Sequence, residues 1–149
     1  MLESVTVFAE TLRRFRKALP WNRPKPPVVL CADDDKSVRR LCSAALVRAG
    51  FDVEQVANGS EALARLRTRR YDAVLLDFVM PGLHGATVLS VLRRDHPEVL
   101  SRIIVISAAP DAALTDAYGL VGAVLRKPIK LDALVDVVRG CCAPAQQVS

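Results

Sequence analysis

Apolar residues fall along this chain in two alternating periods. Residues 28–32, Val-Val-Leu-Cys-Ala, form the unbroken apolar run that a strand shows when both of its faces are covered. Behind it, Val38, Leu41, Ala45 and Leu46 recur at helical spacing and Gly50 follows as a stop, which predicts a helix over 37–49. The exchange continues, with strands expected over 51–57, 71–77, 102–107 and 122–126 and helices over 60–69, 84–95, 112–118 and 131–140. Five strands and five helices in strict alternation predict an α/β domain, a parallel sheet with helices on both faces, and right-handed crossovers leave few ways to wind it. No internal repeat or low-complexity tract interrupts the pattern apart from one Pro-rich stretch.

Ahead of this block the period is helical again. Val5, Phe8, Leu12, Phe15 and Leu19, three and four residues apart, draw a narrow apolar stripe with a basic opposite side over residues 1–19. Prolines at 20, 24, 26 and 27 end that helix and predict a stiff, extended linker over 20–27. The globular domain then spans 28–142, and 143–149 remain as a tail. Five apolar residues over about two heptads are few for an independent coiled coil, so self-association, docking on a partner and contact with an anionic membrane all stay open for residues 1–19.

Composition narrows the class. A chain of 149 residues, 51% apolar and 5% aromatic, is long enough for one full core built from Ala, Val and Leu. No apolar stretch approaches the ~20 residues of a membrane span. Glu3, Glu10 and the basic residues from Arg13 onward break up any secretory leader, so the expected location is cytoplasmic. The cysteines follow no zinc spacing, and the adjacent Cys141-Cys142 pair is poorly placed to close a disulfide, so reduced thiols are expected. The net charge is +5, but Arg13, Arg14, Arg16, Lys17, Arg23 and Lys25 stand in the first 27 residues against two acids. Much of the excess therefore belongs to the N-terminal segment, and no direct nucleic-acid binding is expected.

Candidate chemistry gathers where strands end. Asp33-Asp34-Asp35 follow the first apolar run, Asp77 ends the third strand, Ser107 the fourth, and Lys127-Pro128 follow the fifth. In an open parallel sheet the ligand crevice lies at the carboxyl ends of the strands, so these groups can converge although they are far apart in sequence. Helix capping explains one of the three acids, with Asp35 or Ser37 as the cap, and not three in a row. Asp77 read as a turn residue ahead of Pro81-Gly82 leaves the crowding of carboxylates unexplained, because without a cation they repel. Ser107 alone reads equally as a turn former, and Lys127 as a solvated lysine beside Arg126, except that an ammonium at a buried strand end needs a charge partner. His84 and His96 read as loop residues without a role.

Taken in order, the acidic pair, Asp77 with Met80-Pro81-Gly82, Ser107-Ala108 and Lys127-Pro128 resemble the motifs of a response-regulator receiver domain, the phospho-acceptor module of two-component signalling; the likeness covers residues 28–141. The resemblance implies a flavodoxin-like, doubly wound, five-stranded parallel sheet of order 2-1-3-4-5 carrying an N-terminal helical extension. It implies Mg²⁺ held by Asp33, Asp34, Asp77 and the backbone carbonyl of Val79, with Asp77 as the phosphorylated residue. Ser107 would bond the phosphoryl group, Ala108 would leave its approach open, and Lys127 would pair with the acids after a cis bond to Pro128. The implied partners are a histidine kinase or histidine phosphotransfer protein and a downstream protein target. Such a domain is no turnover enzyme, although it catalyses its own phosphorylation and dephosphorylation. Its phosphorylated lifetime would depend on Val79 and Ala109, two residues beyond the phospho-acceptor and the hydroxyl.

The chain also departs from the family. Val124 stands where many receivers place a Tyr or Phe that swings inward, and the stretch from Ser107 to Lys127 is about two residues short, which predicts a truncated helix between them. These departures keep a second reading open, a pseudo-receiver that serves as a protein-binding scaffold and no longer switches. With only 143–149 after Cys142, a free-standing regulator is expected. A haloacid-dehalogenase-like phosphatase would need a second acid at position 79, which is Val, and a flavin phosphate would need small residues and free amides where the first loop is acidic.

Overall fold

The apolar runs become five parallel strands. They are β1 (Val28–Ala32), β2 (Asp52–Val56), β3 (Ala73–Asp77), β4 (Ile103–Ser107) and β5 (Ala123–Arg126), in the order β2-β1-β3-β4-β5. This computed structural model describes residues 2–18 and 24–142. The helices are α1 (Leu2–Ala18), α2 (Lys36–Arg48), α3 (Gly59–Thr68), α4 (Gly85–Asp95), α5 (Asp111–Tyr118) and α6 (Leu131–Cys142). Leu19 and the first half of the expected linker, residues 20–23, together with the expected tail, lie outside the described residues.

Because side chains alternate along a strand, each central strand feeds two cores. Leu30, Val74, Leu76, Ile103 and Val105 face α3, α4 and α5, where Leu63, Val88, Leu92 and Leu114 meet them. Val29, Leu75, Ile104 and Ile106 face α2 and α6, meeting Cys42, Leu46, Leu134 and Val138. Sheet order and register place the candidate residues. The chain winds outward from β1 to β2, then returns across to β3, so the crevice between β1 and β3 is the switch point. The pairing of Ala32 with Leu76 brings Asp33 level with Asp77 across that crevice.

Several expectations need correction. Leu41, expected on the buried face of its helix, is 56% exposed; the Val38, Cys42, Leu46 ladder faces the sheet, and Leu41 lies one residue off it. Tyr71 and Asp72 stay out of β3: the Asp72 carboxylate accepts from the Val28 amide (2.8 Å), and Tyr71 is a buried residue ahead of the strand. Pro97–Arg102, which the expected elements left as a connection apart from Arg102 at the start of a strand, form a 3-10 helix with Pro97 in its first turn.

The turn from β3 to α4 depends on two glycines. Gly82 has φ +77, a region open to glycine, and Gly85 lies so near β3 that a Cβ there would stand 2.7 Å from the Cα of Phe78 and 2.8 Å from the carbonyl oxygen of Asp77. These are backbone atoms, so the helix itself would have to move. Gly85→Ala should therefore destabilise the fold by about 1–3 kcal/mol, in the range of overpacked sites, measured as a lower urea midpoint with unchanged slope.

Candidate functional site

Three strand-end side chains fold back in the same way. The Asp33 carboxylate accepts from the amide of Asp35 (2.9 Å), the Asp77 carboxylate from the amide of Val79 (3.2 Å), and the Ser107 hydroxyl from the amide of Ala109 (2.9 Å). Each is a side chain bonding to the backbone two residues on, the local closure that Asp and Ser favour at turns. This closure ends the strand and fixes the side chain's direction at the same time. Asp35 caps α2, accepting from Ser37 and Val38, so capping claims that acid and leaves Asp33 and Asp34 for other duty.

The other oxygens of the two buried carboxylates meet one cation. Lys127 Nζ lies 3.2 Å from Asp33 Oδ2 and 3.3 Å from Asp77 Oδ2. Asp33 and Asp77 are almost wholly buried, whereas Asp34 is exposed. The structure thus brings together Asp33, Asp34, Asp77 and Lys127. Ser107 sits fully buried at the end of the adjacent strand, where Ile106 pairs with Asp77. Val79 is exposed and holds Asp77 through its amide. The peptide bond between Lys127 and Pro128 is cis. His84 occupies the N-cap position of α4 without capping through its side chain.

Arg39 is a site residue that sequence reasoning missed. Its guanidinium donates to the carbonyl oxygen of Asp33 (2.6 Å) from the first turn of α2, anchoring the loop that carries the acids. Its position one helical turn after Asp35 was the available signal, since that spacing returns a side chain to the helix start.

Charge in this cluster is unbalanced. Burial, then the neighbouring Asp33 carboxylate, push Asp77 up to about 6, against the pull of Lys127 and the Val79 amide. Burial lowers Lys127, but Asp77 and Asp33 outweigh it and the ammonium is held above its ordinary value. One ammonium does not neutralise three carboxylates. Asp33, Asp34 and Asp77 each offer an oxygen, all within 4.8 Å of one another, with Asp34 on the open side. An all-oxygen set that keeps a face to water fits a hard divalent cation such as Mg²⁺.

Comparison with known proteins bears on the family and the fold. The family described as the response regulator receiver domain matches residues 29–139. The chain is 35% identical over 111 residues to the DNA-binding response regulator MtrA of Mycolicibacterium smegmatis, covering 74% of this chain and 48% of that protein. It is 31% identical over 120 residues to the DNA-binding transcriptional regulator NtrC of Salmonella typhimurium, covering 80% of this chain and 26% of that one. The match therefore spans about half or less of these relatives' length. Among solved structures, response regulator TrrA of Thermotoga maritima in complex with Mg²⁺ and BeF superimposes with a TM-score of 0.69 at 26% identity, over 77% of this chain and 98% of that one.

A pH dependence follows from the raised Asp77. Its folded value lies above the ordinary 3.8, so its stabilising contribution is complete below about pH 4 and is lost as pH rises through about 6. With divalent cations chelated, Asp77→Asn should be more stable than the parent near pH 7.5, by up to about 3 kcal/mol at 1.4 kcal/mol per unit. That advantage should close by about pH 4. Urea unfolding of both proteins in chelator across that pH range checks it, and a gap independent of pH contradicts it.

Proposed function

Because the chain belongs to the response-regulator receiver family, we propose that Asp77 is its phospho-acceptor and takes a phosphoryl group from a phosphohistidine of a histidine kinase or phosphotransfer protein. The observation that carries this reading is the pair of buried carboxylates, Asp33 and Asp77, at neighbouring strand ends and bridged by Lys127, with Asp34 completing three oxygens on the open side. Receiver domains bind Mg²⁺, and a phosphorylated aspartate is typical of them. Here Asp33, Asp34, Asp77 and the backbone carbonyl of Val79 would hold the ion. When bound, it neutralises the carboxylates and draws charge from the phosphoryl oxygens.

The chain's own groups then have distinct tasks. A carboxylate oxygen of Asp77 attacks phosphorus; the P–N bond breaks, its electrons leave with the imidazole, and an acyl phosphate remains. The Asx turn to Val79 and the contact with Lys127 hold that carboxylate in one direction, which is the positioning such transfers depend on. Lys127 offers its ammonium to a phosphoryl oxygen. The Ser107 hydroxyl, bonded as acceptor by Ala109, keeps its proton free to donate to another.

In this reading 28–142 is the receiver unit, 1–19 and 20–27 are appended to it, and 143–149 follow as a tail. Its readout is a protein partner rather than nucleic acid, since residues 28–149 carry 15 basic against 14 acidic side chains and are nearly neutral. A second reading, a scaffold that no longer switches, draws on Val124, which is half-buried against the α5-side core and too small to swing, and on α5, which is only eight residues long.

Incubation with a small phosphodonor and Mg²⁺ separates the two readings. Borohydride reduction and mass mapping should place one adduct, on Asp77, and Asp34→Ala should abolish it while leaving the circular dichroism unchanged. An adduct on Asp33 or His84, or an undiminished rate in Asp34→Ala, overturns the assignment; no adduct at all favours the scaffold.

The lifetime of the adduct is a separate matter. Neither Val79 nor Ala109 has a side chain that can orient an attacking water. The aspartyl phosphate should therefore be long-lived, and Val79→Asn with Ala109→Glu should shorten it, read as decay of radiolabel in Mg²⁺ buffer. Fast decay that the double variant leaves unchanged would assign the water to another group.

A further inference from the structure

Outside the site, the exposed apolar surface and the net charge of this chain gather in one place. Val7, Phe8, Leu12 and Phe15 of α1 make up half of the large hydrophobic side chains exposed among the described residues; Phe8 and Phe15 are each 66% exposed and Leu12 48%. At roughly 100° per residue, Phe8, Leu12 and Phe15 share an arc of about 60°, and Arg13 and Arg14 stand about 100° to either side of it. Residues 1–27 hold six basic side chains against Glu3 and Glu10, so they carry +4 of the chain's net +5. The sequence runs on from α1 into Leu19 and Trp21 and further bases at Arg23 and Lys25.

Two kinds of occupant compete for such a stripe, and the observations favour one. A second copy would pair seams with phenylalanine at two of the three stripe positions over about one heptad, a poor seam in both length and residue type. Such a pairing would also bring two +4 segments together. An anionic surface reverses that repulsion. Arginines flanking an aromatic stripe can keep their guanidinium groups at the headgroup phosphates while their stems cover apolar surface, and a tryptophan near the helix end suits the same interface.

We propose that α1 is a membrane-surface anchor: the helix lies in the plane of an anionic bilayer, with Phe8, Leu12 and Phe15 in the acyl boundary and Arg13 and Arg14 among the headgroup phosphates. It does not depend on phosphorylation of Asp77, because neither the stripe nor its charge involves the receiver site. The receiver is thereby held at the membrane through a segment that carries most of the chain's net charge. No helix among the described residues is long and apolar enough to cross a bilayer, so attachment of this kind is peripheral and reversible by salt.

Flotation of the full chain with lipid vesicles tests the proposal. It should float with phosphatidylcholine vesicles containing about 30% phosphatidylglycerol, fail to float with phosphatidylcholine alone, and be released by raised salt. Phe8→Ser with Phe15→Ser should abolish flotation while leaving the urea midpoint of the receiver unchanged. Arg13→Gln with Arg14→Gln should weaken partitioning about twenty-five-fold, each basic residue near an anionic surface contributing about a factor of five. Equal binding to neutral vesicles, or flotation that survives the Phe substitutions, overturns it. So does an absence of flotation accompanied by concentration-dependent dimers in light scattering that the Phe substitutions dissolve, which would assign the stripe to a second copy.

Discussion

A single ammonium makes this arrangement of strand ends tolerable. Lys127 Nζ sits between Asp33 and Asp77, which are almost wholly buried, and joins the far end of β5 to the ends of β1 and β3. Removing the lysine would cost several kcal/mol, because both carboxylates would be left buried and unpaired. Yet the bridge is incomplete, since Asp77 is still pushed up to about 6 by burial and by Asp33. The site holds more negative charge than its own lysine can balance. That excess of negative charge destabilises the metal-free fold near neutral pH and is also what would draw in a divalent cation, so under the proposed function stability and function pull in opposite directions at the same side chains.

Fold geometry decides which residues can share that charge. In the order β2-β1-β3-β4-β5, the strands bearing Asp33, Asp77, Ser107 and Lys127 are consecutive across the sheet. Parallel register then brings all four strand ends to one edge. Each acid and the serine is turned back by a bond to the amide two residues on, so strand termination and side-chain aim have one local cause. Gly85 adds a steric condition on the same loop, because α4 can start so close to Asp77 and Phe78 only where no Cβ intervenes.

Much of this was legible in the sequence because it rests on local rules. Apolar runs for strands and acids at their ends are short-range patterns, and they place β1 and the carboxyl ends of β3 and β4, whose starts fall two and one residues later than expected. What escaped depends on competition or distance. On α2, the sequence offers both Leu41 and Cys42 to the sheet, and only packing decides that Cys42 is buried while Leu41 is exposed. The 3-10 helix over Pro97–Arg102 is too short to display a helical period, although Pro97 was a start signal. Arg39 was invisible to a search for apolar periodicity, because its contribution is one polar contact to a backbone carbonyl.

The route from the site to the rest of the molecule also differs from what an aromatic at position 124 would provide. Val124 is three residues before Lys127 on β5 and packs, half-buried, against the core below α5. The loop that follows Ser107 is tied to β5 by another residue, Arg126, whose guanidinium bonds the carbonyl oxygen of Ala109 and stands 3.5 Å from the Asp111 carboxylate at the start of α5. Ser107 and Arg126 are register partners, so the hydroxyl beside the strand of Asp77 and the strap on its loop belong to one rung of the sheet. Under the proposed function, a shift of the Ser107 loop toward a phosphoryl group would stretch or carry Arg126 with it, and through Asp111 the first turn of α5. Coupling of that kind runs through backbone and an ion pair at the surface rather than through a ring turning into the core, which makes it sensitive to salt where an aromatic lever is not.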